Sequence, residues 1–252
     1  MLFPQGRFFS YAIYRERSRT FNGKNLPVKR TENGSKDSMR ALFIDHYDSF
    51  SFNIIDMLER IGEFPVEHCY FDQLGEFQGG SGFEDVSCVV LSPGPGKPEE
   101  MTQTVELIRK LDGKKPIFAV CLGFQILMQL HGYRVQKILP FQHGALKKID
   151  IFSSHEMYRG VSTPFEAVAY NSLGVNAGGT ENAKVNITAT STIQNSEDLT
   201  EEEYVESAVF PSEVNVPIWG VQFHPESYLT TQGEKIFQNF LKAAFRQKVA
   251  NK

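Results

Sequence analysis

Cys121 lies at the junction between an apolar run and a glycine, where a side chain can be presented for reaction. In the segment Ala119-Val120-Cys121-Leu122-Gly123, small residues stand two positions before and two positions after the cysteine. A sharp strand-to-helix turn requires such flanking residues and projects its apical side chain into a cleft. The positive end of the helix dipole also favours the thiolate, the nucleophilic form. The spacing indicates a nucleophile elbow, although a buried and inert cysteine, our interpretation of Cys69 and Cys88, is the alternative.

His224 and Glu226 could supply the proton transfers that a thiolate nucleophile needs. They occur in the segment Gln222-Phe223-His224-Pro225-Glu226-Ser227, at the end of another apolar run. In extended backbone, side chains two positions apart point to the same side. The carboxylate of Glu226 can therefore orient the imidazole and stabilise its protonated form. A surface histidine beside a solvated glutamate is the alternative, and the separate cysteine elbow favours the catalytic interpretation.

The loop Ser92-Pro93-Gly94-Pro95-Gly96 is a candidate source of backbone N–H groups for a developing oxyanion. Attack on an amide builds negative charge on oxygen, and removing one donor aimed at that charge costs roughly 10²–10³ in rate. Glycines let the backbone approach a ligand closely, and prolines stiffen the loop. Because Pro95 has no N–H, either Gly94 or Gly96 must donate, and Leu122 at the helix start is the second candidate. An ordinary Pro/Gly turn is the alternative interpretation.

An alternation of strands and helices would bring these segments together. Apolar runs predict strands at 41–44, 66–70, 86–91 and 117–120, and helical spacing predicts helices at 52–61, at 101–111 and from about Gly123. This order predicts an α/β fold with a mostly parallel central sheet flanked by helices on both faces. Reactive groups gather at the carboxyl ends of the strands in such sheets. Both Cys121 and His224 occupy that position.

The second half of the chain predicts an antiparallel edge region added to the sheet. Shorter β-like runs occur at 146–152, 165–170 and 187–192, followed by a strand at 218–223 and a final helix at 234–245. The stretch from Gln194 to Glu213 is acidic and carries no motif. We interpret it as a surface excursion between two strands.

The composition indicates a soluble globular protein and excludes some partner classes. Hydrophobic residues make up 41% of the 252 residues, which provides apolar area for a core. Residues 1–40 carry nine Lys/Arg against three Asp/Glu, whereas residues 41–252 carry seventeen against twenty-seven. An acidic body without a Lys/Arg cluster argues against nucleic acid or membrane as the partner and favours small molecules or another protein.

The N-terminal segment and the cysteine usage bear on location. Residues 1–38 are basic and lack clear periodicity, so we interpret them as a disordered extension before a domain at 39–248. An organelle transit peptide and an upstream translation artefact are the alternatives. The three cysteines are too irregularly spaced for a disulfide framework or a CxxC-type zinc site. With no apolar run near the roughly 18 residues of a membrane span, a cytoplasmic location is expected.

Six motifs occur in a fixed order along residues 40–245. They are Asp45-His46-Tyr47-Asp48-Ser49-Phe50 with Asn53, Leu91-Ser92-Pro93-Gly94-Pro95-Gly96, Cys121-Leu122-Gly123-Phe124-Gln125, His143-Gly144, Tyr170-Asn171-Ser172-Leu173, and Gln222-Phe223-His224-Pro225-Glu226-Ser227. In this order they resemble the glutaminase component of aminodeoxychorismate synthase and of anthranilate synthase, within the class I (triad) glutamine amidotransferases.

The resemblance implies an activity, a set of site residues and a partner. Cys121 would form a γ-glutamyl thioester, with His224 and Glu226 completing the triad. The residues implied to hold L-glutamine are Gly94, Pro95, Gly96, Leu122, Gln125, Ser172 and Leu173. The ammonia would pass to a chorismate-using synthase that is a separate subunit or a fused domain, since that enzyme needs several hundred further residues and a Mg²⁺ site. No cofactor or metal is expected in the domain itself.

The chain departs from the usual family pattern at four positions. Ala119 stands where glycine is more common, Phe124 and Asn171 replace histidine, and Ala169 replaces arginine. A phenylalanine at the position of Phe124 resembles fused aminodeoxychorismate synthases and favours that branch over anthranilate synthase component II. A catalytically weakened regulatory subunit is a further alternative. A Cys-His hydrolase of γ-glutamyl peptides is another, but the motifs at 45–50 and 143–144 resemble partner-facing segments and argue against it.

Overall fold

The computed structural model describes residues 39–75, 82–111, 113–179, 184–195 and 199–250. These residues form the α-helices α1 (Ser51–Gly62), α2 (Thr102–Leu111), α3 (Leu122–Leu130) and α4 (Gly233–Ala250). The strands are β1 (Ala41–Asp45), β2 (Val66–Tyr70), β3 (Cys88–Leu91), β4 (Ile117–Val120), β5 (Gln136–Lys137), β6 (Ala145–Ile151), β7 (Phe165–Ala169), β8 (Leu173–Gly174), β9 (Asn186–Gln194), β10 (Glu201–Val209) and β11 (Ile218–Val221). The segment 1–38, interpreted above as an extension, lies outside the described residues.

Nine of the described strands form one sheet in the order β2-β1-β3-β4-β11-β10-β9-β6-β7. The first five pair in parallel, and the remaining pairs from β11 onward are antiparallel. Strands β4 and β11 lie side by side, with Ala119 opposite Gly220 and Val120 opposite Val221. The ends of these two strands carry Cys121 and the segment that leads to His224. The predicted α/β class, mostly parallel with an antiparallel edge region, is confirmed.

Alternate side chains of the parallel strands enter two cores, one on each face of the sheet. In β1, Ala41 and Phe43 join the core that packs against α1 and α4, whereas Leu42 and Ile44 join the core that packs against α2 and α3. The period of two along a strand explains this division. All five residues of β1 are buried, as expected for a parallel strand covered by helices on both faces.

The prediction that Gln194 to Glu213 form a surface excursion is wrong. Strand β10 occupies most of this stretch and pairs with both β9 and β11 inside the sheet. Glu201 to Glu203 gave the stretch its acidic composition, but the residues that follow, Tyr204 to Ala208, are buried. The acidic start of the strand therefore concealed a central strand.

No helix in the described ranges is both long enough and apolar enough to cross a bilayer. The longest, α4, carries charged residues on one side and buries Ile236, Phe237, Phe240 and Leu241 on the other. This amphipathic pattern is typical of a helix that covers a sheet.

A buried ion pair joins β6 to β10 across the intervening strand β9. Nζ of Lys147 lies 2.7 Å from Oε1 of Glu206, and the two side chains are 4% and 0% exposed. Ser191 also donates to Oε1 at 2.7 Å. Glu206 is the additional residue of a β-bulge, because the pairing with β9 shifts between Val205 and Ser207. The bulge turns a charged side chain into the interior, where it depends on Lys147 for compensation.

Replacing Lys147 with methionine is expected to lower the free energy of unfolding by about 3–5 kcal/mol, because it leaves the carboxylate of Glu206 buried without its cation. The double variant Lys147→Met/Glu206→Leu should regain most of that loss, since no charge is then left buried. Equilibrium denaturation of both variants measures the effect. Lys148→Met is the matched control, because Lys148 is 67% exposed, and we expect it to change stability by less than about 0.5 kcal/mol. A single Lys147 variant as stable as the wild type would contradict the argument.

Candidate active site

Cys121 is the N-cap of α3 and follows directly on β4. Its φ of 50° and ψ of −102° lie in the sparsely populated positive-φ half of the backbone map, a conformation that costs a non-glycine residue roughly 1–3 kcal/mol. The N–H of Cys121 donates to the carbonyl of Val221 at 2.9 Å. A Cβ at Gly123 would stand 2.6 Å from Cβ of Leu91, so the small residue predicted after the elbow is required there. The backbone has the sharp turn that the sequence predicted.

His224 lies next to the elbow and is oriented by Glu226. Nδ1 of His224 donates to Oε1 of Glu226 at 2.7 Å. Both side chains are buried. The main chain of His224 is also fixed, since its N–H donates to Val168 at 2.9 Å and its carbonyl accepts from Oγ1 of Thr230 at 2.7 Å. The ring is thus held at Nδ1, and Nε2 is the nitrogen that can accept or donate a proton in a reaction.

The charge state of His224 follows from its neighbours. Burial alone would lower its pKa, but the charge of Glu226, the hydrogen bond to Glu226 and the nearby thiol of Cys121 outweigh burial and raise the pKa well above the ordinary value. Nε2 makes no hydrogen bond of conventional geometry with the described residues. At neutral pH the arrangement therefore favours an imidazolium beside the sulfur of Cys121.

Aromatic rings enclose the imidazole. The ring of Phe50 packs edge-on against His224 at 6.1 Å between centroids, and the ring of Tyr170 does so at 5.2 Å. These two rings also contact each other at 5.2 Å. Phe50 belongs to the motif at 45–50 that resembles partner-facing segments, and its ring lies against the candidate catalytic base. The aromatic cover limits access of water to the His224–Glu226 pair.

The predicted oxyanion loop is held in place by His46. The backbone N–H of His46 donates to Oγ of Ser92 at 2.8 Å, and Nε2 of the His46 ring lies 3.0 Å from Oγ1 of Thr104. Burial lowers the pKa of His46 to about 4, so the ring is neutral at physiological pH. A Cβ at Gly94 would stand 2.6 Å from both Cβ and the carbonyl oxygen of His46. Gly94 is therefore the residue that allows the loop to approach His46 so closely.

The other predicted loop residues occupy different environments. Gly94 is partly buried, whereas Pro95 and Gly96 are exposed. Gly96 has a φ of 99°, a conformation that favours glycine. Leu122 is buried as the first residue of α3, where backbone N–H groups have no acceptor within the helix. The structure thus places Leu122 at the elbow and leaves Pro95 and Gly96 at the surface.

Among the residues implied to hold glutamine, Gln125 contacts the segment 172–173 at the backbone of Leu173, the first residue of β8. Nε2 of Gln125 donates to the carbonyl of Leu173 at 2.9 Å, and Nδ2 of Asn171 donates to the same oxygen at 2.8 Å. Ser172 and Leu173 are partly buried, and the carbonyl of Ser172 accepts from the N–H of Ile138 at 3.0 Å. The segment 171–173 is therefore attached to α3 through Gln125.

Two residues near the site were missed by sequence reasoning. Burial raises the pKa of Asp48 to about 6, with the charge of His224 opposing this rise and the charge of Glu226 adding to it. Gln222 is buried and donates to Sγ of Cys121. Gln222 precedes His224 by two positions, and this spacing in extended backbone was a usable signal. Nothing in the sequence pattern indicated that Asp48 would share its surroundings with His224.

The departures from the family pattern lie in the buried structure around the site. Phe124 is fully buried and packs against Phe210, with its ring where a Cβ at Gly220 would stand. Ala169 is fully buried and pairs with Ala145 on β6. Asn171 holds the carbonyl of Leu173 as described.

Comparisons with known proteins agree with this geometry. The family model for glutamine amidotransferase class-I matches residues 42–244. Anthranilate synthase component 2 of Thermus thermophilus is 33% identical over 220 residues, covering 83% of this chain and 96% of the relative. Aminodeoxychorismate/anthranilate synthase component 2 of Bacillus subtilis is 30% identical over 213 residues, covering 83% and 99%.

Two further comparisons concern length and fold. The chain spans 32% of the length of the bifunctional protein TrpGD of Thermotoga maritima, with 33% identity over 208 residues that make up 80% of this chain. A solved glutamine amidotransferase from Thermotoga maritima superimposes with a TM-score of 0.60 at 16% identity, over 85% of each chain. At that identity the likeness supports the fold alone.

Proposed function

This chain belongs to the class-I glutamine amidotransferases, and from that premise we propose that it hydrolyses L-glutamine and passes the ammonia to a chorismate-using synthase. The observation that carries the proposal is the arrangement at the end of β4 and β11. There Cys121 is the apex of a strained turn and influences the charge of His224, which is bound to Glu226. A nucleophile, a base and an orienting carboxylate in this relation are suited to acyl transfer.

The first half of the reaction releases ammonia. The thiolate of Cys121 attacks the side-chain amide carbon of glutamine, forming a carbon–sulfur bond while the carbonyl electron pair moves to oxygen. When the carbonyl re-forms, the carbon–nitrogen bond breaks and Nε2 of His224 gives its proton to the departing nitrogen. The products of this half are ammonia and a γ-glutamyl thioester on Cys121.

The second half regenerates the enzyme. Neutral His224 takes a proton from a water molecule, whose oxygen attacks the thioester carbon. The collapse of this second tetrahedral species breaks the carbon–sulfur bond and returns the electron pair to sulfur. Glutamate leaves, and the thiolate again stands beside protonated His224. Glu226 stabilises the imidazolium in both halves, because its carboxylate accepts from Nδ1 throughout.

The oxyanion of each tetrahedral species needs N–H donors at fixed positions. We assign this role to the backbone of Leu122 and to the loop that contains Gly94 and Gly96. The anchoring of Ser92 by His46 supports the assignment, since it holds the loop next to the elbow before substrate binds. A donor fixed in advance stabilises the charge without reorganisation during the reaction.

We assign glutamine binding to Gly94 to Gly96, Gln125, Ser172 and Leu173. In support of this assignment, Gln125 connects α3 to Leu173 next to the nucleophile. The NH2 group of Gln125 is already engaged by the protein. Its contact with substrate would therefore use the side-chain oxygen, which can accept from the α-ammonium or the amide of glutamine.

The partner is proposed to be the aminodeoxychorismate synthase subunit or a fused synthase domain. The phenylalanine at position 124 supports this branch by its resemblance to fused aminodeoxychorismate synthases. The second candidate is anthranilate synthase, which the name of the Thermus thermophilus relative supports, whereas the name of the Bacillus subtilis relative covers both branches. The two branches share glutamine, ammonia and chorismate and differ in the product.

Reconstitution with each synthase subunit in turn distinguishes the branches. The chain is mixed with chorismate, glutamine and either the aminodeoxychorismate or the anthranilate synthase subunit of the same organism, and the product is identified by chromatography. We expect glutamine to support aminodeoxychorismate formation with the first subunit. Anthranilate formation with the second subunit alone would assign the chain to the other branch. Failure of glutamine with both, while added ammonia supports each synthase, would overturn the proposal.

A further inference from the structure

Gln222 lies between the candidate nucleophile and the candidate glutamine-binding residues, and the reaction described above leaves it without a role. Its side chain is 1% exposed. Nε2 of Gln222 donates to Sγ of Cys121 at 3.5 Å, and Oε1 accepts from Nε2 of Gln125 at 3.1 Å. One buried amide thus joins the sulfur to the helix residue that holds Leu173.

The orientation of this amide follows from a group that can only accept. The backbone oxygen of Leu173 has no hydrogen, so the end of Gln125 that faces it at 2.9 Å must be the NH2 group. The second hydrogen of that group is directed to Gln222, whose facing atom must then be its oxygen. The opposite end of the Gln222 amide is consequently an NH2 group, and this end faces sulfur.

The main chain of Gln222 is fixed by a hydrogen bond to β10. Its N–H donates to the carbonyl of Glu206 at 2.8 Å. Glu206 is the bulged residue of β10, and its carboxylate is held by Lys147. Cys121 is tied to the residue before Gln222, the last residue of β11, because its N–H donates to the carbonyl of Val221 at 2.9 Å. The relative position of the amide and the sulfur is therefore set by the sheet.

We propose that Gln222 is a positioning residue that stabilises the thiolate of Cys121 and aims the sulfur at the amide carbon of glutamine. The inference deepens the proposed function and rests on it. An N–H donor aimed at a charged acceptor strengthens as the acceptor gains charge. Gln222 keeps its hydrogens through the whole reaction, whereas His224 gives up its proton. The amide therefore remains as the donor to sulfur when the thioester breaks and the thiolate departs.

Gln222→Met tests the proposal, since methionine has a similar length and no N–H. We expect alkylation of Cys121 by iodoacetamide at neutral pH to slow by about tenfold to hundredfold, the range expected for a hydrogen bond to a charged group. In glutamine hydrolysis kcat should fall by a similar factor, while KM changes by less than about threefold. Mass spectrometry of the peptide that contains Cys121 reports the alkylation.

A second substitution keeps the test valid if loss of the amide unfolds the chain. Gln222→Glu retains an oxygen for Gln125 but places a carboxylate oxygen beside sulfur, so alkylation should slow at least as much. Gln129→Met is the matched control, because Gln129 lies on α3 and its amide donates to Glu99 rather than to the site. We expect wild-type alkylation and kcat from the control.

The outcomes separate this inference from the proposed function. Alkylation is measured without glutamine or a synthase, so an effect of Gln222 on the sulfur is visible even if the chain hydrolyses no glutamine. A chain that alkylates readily at Cys121 and leaves glutamine intact would refute the proposed function alone. A folded Gln222→Met or Gln222→Glu variant with wild-type alkylation and wild-type kcat would overturn the role of Gln222.

Discussion

Replacing Cys121 with alanine is expected to lower kcat for glutamine hydrolysis by about 10⁴-fold or more, because the covalent route through the thioester is then closed. The turn that carries residue 121 should survive, since alanine is smaller than cysteine and meets no new neighbour. Ammonia added directly should still support product formation by the synthase. The measurement compares glutamine-dependent and ammonia-dependent product formation in the same reconstituted mixture.

Cys69→Ala is the matched control for this experiment. Cys69 is also buried, but it lies on β2 at the far edge of the sheet, and its thiol donates to the carbonyl of Tyr70. We expect this variant to keep wild-type glutaminase activity. If Cys121→Ala kept full glutaminase activity, the assigned nucleophile would be wrong.

Glu226→Gln is expected to lower kcat by roughly 10³–10⁴-fold, the effect seen when the orienting carboxylate of a triad is neutralised. The amide can present its NH2 group to Nδ1 and so favour the wrong tautomer of His224. Burial of His224 would then be unopposed by the charge of Glu226, and its pKa should fall. Measurement of kcat/KM against pH should show the alkaline limb at lower pH than in the wild type.

The same pair makes stability depend on pH. The pKa of His224 is higher in the folded chain than in the unfolded chain, so protonation of His224 stabilises the fold. This contribution to the free energy of unfolding is fully present below pH 6.5 and is lost as the pH rises through the raised pKa of the folded state. The Glu226→Gln variant should lack this loss. Glu234→Gln serves as the control, since Glu234 lies exposed on α4, where it forms an ion pair with Arg60 of α1. An unchanged kcat and an unchanged alkaline limb in Glu226→Gln would contradict the assigned role.

The parallel half of the fold could be predicted because its strands are short, mostly apolar and separated by helical patterns. The runs at 41–44, 66–70 and 117–120 correspond to β1, β2 and β4 within a residue or two. In the antiparallel half, burial alternates along β6, whereas β9 and β10 each combine exposed residues with an uninterrupted buried run. There Glu206 is buried through a bulge and a partner from β6. The charge that compensates Glu206 comes from a strand distant in sequence, so the residues around Glu206 in the chain give no sign that it is buried.

The position of a candidate residue was predictable where it depends on residue type and strand ends, as at Cys121, His224 and Glu226, whose catalytic roles stay a prediction. It was not predictable where a contact depends on which strands lie side by side. His46 follows β1 and reaches Ser92 after β3 because these strands pair, with Ile44 opposite Leu91. The raised pKa of Asp48 likewise depends on packing around His224 rather than on its own neighbours in the chain.

The pairing of β4 with β11 makes the distance between nucleophile and base independent of the length of chain that joins them. About a hundred residues separate Cys121 from His224, yet the ladder from Ile117 to Val221 sets their spacing. The intervening segment only needs to leave one strand and return to its neighbour. Insertions or deletions in its exposed turns should therefore be absorbed there. This arrangement gives the chain freedom to vary its periphery while the reacting atoms keep their geometry.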